Sequence, residues 1–104
     1  MGYIIMRQYD DEMRTVRAKI KVITTSPKFK DISDDLKMQA EDFLEMYSTY
    51  LSRVVINGDI VKYAGSIEND TFTGSYGNRV TGLKALRTFG MTITKEATRS
   101  ILNK

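Results

Sequence analysis

Between Leu36 and Val54 the chain repeats apolar residues at three- and four-residue steps: Leu36, Ala40, Phe43, Tyr47, Tyr50, Leu51 and Val54. That period sets them along one side of an α-helix, and so wide a stripe has to be covered by the rest of the fold. Ser33 stands where it can cap this helix. Asp34 and Asp35 fall in the first turn, where the positive end of the helix dipole favours acids. Lys37, Glu41, Asp42, Glu45 and Ser48 are expected on the outer face. The spacing therefore predicts one helix of about five turns over 33–54.

The flanking segments offer it mainly strands. Residues 2–9 read as a short strand, and Asp10, Asp11 and Glu12 as a polar break. Val16, Ala18, Ile20 and Val22 then alternate with Arg17, Lys19 and Lys21, the period of a half-buried strand. A helix competes for the same residues, because Met13, Val16, Ile20 and Ile23 are also at helical spacing. The density of β-branched residues favours the strand. Ser26-Pro27 ends this element.

Asn57-Gly58 between β-branched runs predicts a hairpin with a type I′ turn. The competing reading makes Gly58 the left-handed cap of the long helix. Residues 64–67, 68–70 and 71–73 continue as strand, turn and strand, and Gly74, Gly77 and Gly82 mark a loop or bulged edge. Leu83 to Phe89 reads as a short helix stopped by Gly90, with a second helix from Thr94 to Leu102. At 104 residues the chain is expected to form a single α+β domain: a small antiparallel sheet of hairpins packed on one long helix, with a C-terminal helical pair. The alternative is a mainly α-helical bundle.

Composition removes whole classes of chemistry. The chain has no cysteine and no histidine, so it has no disulfide, no thiolate nucleophile or zinc ligand, and no imidazole acid–base group. No apolar run approaches the ~18 residues of a membrane span, and the N-terminal segment lacks the pattern of a signal peptide. A cytoplasmic protein without membrane attachment or cofactor is expected.

Charge is unevenly placed. Residues 13–30 hold Arg14, Arg17, Lys19, Lys21, Lys28 and Lys30 and no acid. Residues 31–45 hold six acids against Lys37, and residues 71–104 hold Arg79, Lys84, Arg87, Lys95, Arg99 and Lys104 against Glu96. If Arg17, Lys19 and Lys21 share one face of a strand, they stand about 6.6 Å apart, close to a phosphate repeat. Tyr3 and Tyr9 could stack on unpaired bases. The expected function is that of a small basic, non-enzymatic binding protein engaging a nucleic-acid backbone through these cations. The alternative is a protein-binding module or inhibitor that uses the acidic helix or a Met/Tyr apolar surface. Lysines on a strand's solvent face also block edge pairing without any ligand.

Catalytic patterns fit poorly. Gly77-x4-Gly82-Leu83-Lys84 resembles a phosphate loop, but Leu83 intrudes before the lysine and Ala85 follows it. The pairs Asp10/Asp11, Asp34/Asp35 and Glu41/Glu45 are expected to be exposed, and so unsuited to general acid–base work. The segment 83–102 has the outline of a helix-turn-helix, but Glu96 and Arg99 fall where that motif wants apolar residues; a plain helical hairpin is the rival. Met38 and Met46 flank the apolar stripe and could widen it into a homo-oligomer surface.

Overall fold

The computed structural model describes residues 2–103, and the side chains of residues 4–103. The order is β1 (Gly2–Met6), α1 (Arg7–Thr25), a 3-10 turn (Pro27–Phe29), α2 (Asp34–Ser52), β2 (Val54–Asn57), β3 (Ile60–Ala64), β4 (Thr71–Thr73), β5 (Arg79–Thr81) and α3 (Leu83–Leu102). The class is α+β, as expected. Ser33 caps α2 by accepting the Leu36 amide at 3.1 Å, with Asp34 and Asp35 in the first turn.

Residues 7–25 form a helix, which corrects the strand expected over 13–25. Burial shows why: Met13, Val16, Ile20 and Ile23 line the inner face, while Ala18 and Val22 of the alternating set face outward. Tertiary packing of the helical stripe overrides the β-branched bias. The C-terminal pair is also corrected. Gly90 lies inside one continuous helix, because α1, α2 and α3 meet there. A Cβ at Gly90 would lie 2.5 Å from Phe43 Cε1 and 2.6 Å from Val16 Cγ1. The missing side chain allows this crossing, and the helix-turn-helix outline goes with the turn it needed.

α1 and α3 run parallel: Tyr9 donates to the Leu83 carbonyl, Arg87 meets Glu12, and Val16 faces Gly90. α2 returns antiparallel to both and packs against both, bringing Tyr50 back to Asp10. Phe43, Ile20, Leu86 and Ile93 are fully buried in the helical core.

Strand order β1-β3-β2 makes an antiparallel sheet over the end where α1 begins and α2 stops. Its inner face carries Ile5, Val61 and Tyr63, and Tyr63 stacks on Tyr50 at 6.1 Å. The predicted hairpin forms, but its two-residue loop is Gly58-Asp59 rather than Asn57-Gly58. Of the two loop residues Gly58 alone has positive φ (61°), so a turn with glycine at its first central position replaces type I′. β4 and β5 form a second hairpin, with Phe72 buried beneath it.

Two acids expected to be exposed are fully buried. Asp10 accepts from Tyr50 Oη (2.6 Å) and Arg14 Nε (2.8 Å). Asp42 accepts from the amides of Tyr76 (3.0 Å) and Asn78 (3.1 Å) and from Asn78 Nδ2 (2.7 Å), tying the β4–β5 loop to α2. Met46 is also fully buried, so only Met38 of the methionine pair reaches the surface.

Candidate binding groove

Along the parallel pair α1 and α3 lies an open groove of about 1020 Å³, to which α2 contributes no lining residue. Its floor is apolar, from Val16, Ile23 and Phe29, and its walls expose Val22 (50%), Met91 (52%) and Leu102. On α3, Arg87, Met91, Lys95, Thr98 and Leu102 recur at three- and four-residue steps, which turns them to the same side. This stripe exists only because the helix runs on through Gly90, so a reading that stopped the helix there could not find it.

The charges differ between the two ends. At the end where the helices begin, Asp11 pairs with Arg7 (3.7 Å) and Glu12 with Arg87 (2.8 Å). The Arg87 guanidinium also lies 4.7 Å from the centre of the Tyr9 ring. Burial pushes the Tyr9 hydroxyl up to about 12 against the opposing pull of Arg87. Past the midpoint of the two helices stand Lys19, Lys95 and Arg99, with Ile23, Phe29 and Leu102 beyond them. Among the described residues Lys19 and Lys95 make no ion pair, and Arg99 has only an exposed contact to Glu96 at 3.4 Å. One end is neutralised and the other carries unspent positive charge.

Of the cations singled out by sequence, this groove therefore gathers Lys19, Lys95 and Arg99, with Arg87 paired at its other end. The supposed row of Arg17, Lys19 and Lys21 is divided, because residues two apart on a helix point about 160° away from each other. Arg17 and Lys21 lie on the flank shared with Arg14, which the Asp10 carboxylate holds by a hydrogen bond that raises the guanidinium pKa. Lys28 and Lys30 belong to the connector, where the Lys30 carbonyl accepts from Lys37 Nζ at 3.0 Å. Arg79 is on β5 and Lys84 in the first turn of α3, both exposed and outside the groove lining. The Tyr3 side chain and Lys104 lie outside the described residues.

Among the described residues no cluster of three or more acids could hold a metal ion, and no helix is long and apolar enough to cross a membrane. Neither a family model, nor a curated protein, nor a solved structure matches this chain.

Proposed function

We propose that the chain is a small, non-enzymatic protein-binding module. Its α1–α3 groove receives an amphipathic helical segment of a partner protein, whose acidic residues lie over Lys19, Lys95 and Arg99. The observation that carries this reading is an apolar floor flanked by two cations, Lys19 and Lys95, that make no ion pair among the described residues, with Arg99 beside them in only an exposed pair with Glu96. Helix-in-groove recognition needs such a floor to bury the partner's apolar face, and uses charge to fix its direction. α1 is 19 residues long, about 28 Å, enough to lie beside a partner helix of about five turns.

A nucleic-acid backbone is the competing acidic ligand. Against it stand the division of the cations between two flanks of α1 and the apolar lining, which offers phosphates nothing.

The test is selection from a random-sequence peptide library on the purified protein. Enriched peptides are expected to carry apolar residues at helical spacing with Asp or Glu toward one end. The charge-reversed variant K19E/K95E/R99E should lose them by about tenfold or more in affinity. Absence of such enrichment overturns the reading. If, instead, single-stranded DNA binds with an affinity that collapses between about 50 and about 200 mM salt, the role passes to nucleic acid.

A further inference from the structure

The outer face of the β1-β3-β2 sheet is as unusual as the groove. The register sets Ile4 opposite Lys62 and Met6 opposite Ile60 on one side of β3, and Val55 opposite Lys62 on the other. Cross-strand partners share a face, so Ile4, Met6, Val55 and Ile60 all point away from the core. They are 73%, 72%, 62% and 48% exposed. A sheet with one face solvated ordinarily carries polar residues there; this one has four apolar side chains around Lys62, with Asn57 at the turn opposite Ile60.

We infer that this face is the contact between two copies of the chain, stacked sheet on sheet about a two-fold axis. The four side chains leave roughly 500 Å² of apolar surface in water, at the upper part of what the largest patch on a monomer exposes, and stacking two copies would remove roughly 1,000 Å², the lower bound for a specific interface. A two-fold contact needs the same patch on both partners, which a flat sheet face supplies. The face looks away from the helices, so the α1–α3 groove stays open in the dimer, and the inference stands whether or not that groove binds a peptide. Lys62, central on β3 and without an ion pair among the described residues, opposes the association, since stacking brings two such cations out of water together.

Sedimentation equilibrium over a micromolar concentration series tests this. The full chain is expected to dimerise. Ile4→Lys combined with Val55→Lys, at positions already in water, should leave the circular dichroism unchanged and weaken the dimer by at least about tenfold. Lys62→Val should tighten it by about tenfold. The groove variant K19E/K95E/R99E should dimerise as the unmodified chain does. A chain that stays monomeric throughout, or a dimer indifferent to both the Ile4/Val55 and Lys62 changes, overturns the inference.

Discussion

Gly90 is where a residue's smallness decides how the helices pack. In an exposed helix, replacing glycine by alanine stabilises by about 1 kcal/mol through the unfolded chain. Here the added methyl meets Phe43 and Val16 at distances that force the helices apart. Gly90→Ala is therefore expected to destabilise by about 1–3 kcal/mol in a urea melt, with helical content retained. A stabilised variant would mean that the three helices do not cross at this point. Asp42 shows the opposite kind of necessity. Its charge can be buried because three donors from the β4–β5 loop converge on it. Those donors come from residues 34 and 36 positions later, so a helix-by-helix reading of the sequence assigns Asp42 to solvent.

At the scale of elements, α2, its Ser33 cap and the hairpin after it were legible, because each is announced by local chemistry: an apolar period, a capping hydroxyl, and a glycine where positive φ is needed. α1 was not. Val16 and Ile20 satisfy both the strand period and the helix period, and the deciding residues are Met13 and Ile23 against Ala18 and Val22. Only the presence of α2 and α3 to cover a helical stripe resolves the choice. The groove was illegible for the same reason: its walls join residues 19 and 22 to residues 91–102 across two helices whose extents local signals misassigned. Ala18→Glu separates the two readings cleanly. On the solvent side of α1 it should change stability by no more than about 0.5 kcal/mol, whereas inward placement on a strand would bury a carboxylate and abolish folding. A urea midpoint near that of the unmodified chain is the expected outcome.

For the molecule as a whole, four tyrosine hydroxyls are held in their neutral form. Burial pushes up the pKa of Tyr9 to about 12 and also raises those of Tyr47, Tyr50 and Tyr63. At Tyr50 the hydrogen bond to the buried Asp10 carboxylate adds to the rise. In the unfolded chain these groups lose their protons near pH 10. Between pH 10 and 12 the folded state thus holds more protons than the unfolded one, and stability present below pH 10 is lost as pH rises. Urea midpoints should be level up to about pH 9.5 and fall steeply beyond it, together with tyrosinate absorbance; a flat profile to pH 12 would contradict the buried tyrosine cluster.

The helical frame, the apolar floor and the cations beside it together serve one claim, that α1 and α3 hold a partner helix between them. Amide chemical-shift mapping of the labelled protein against a library-selected acidic peptide tests this most directly. The account predicts perturbations concentrated at Lys19, Val22, Met91, Lys95 and Arg99, with β2 and β3 silent. Perturbations confined to the sheet, or absent at saturating peptide, would contradict it.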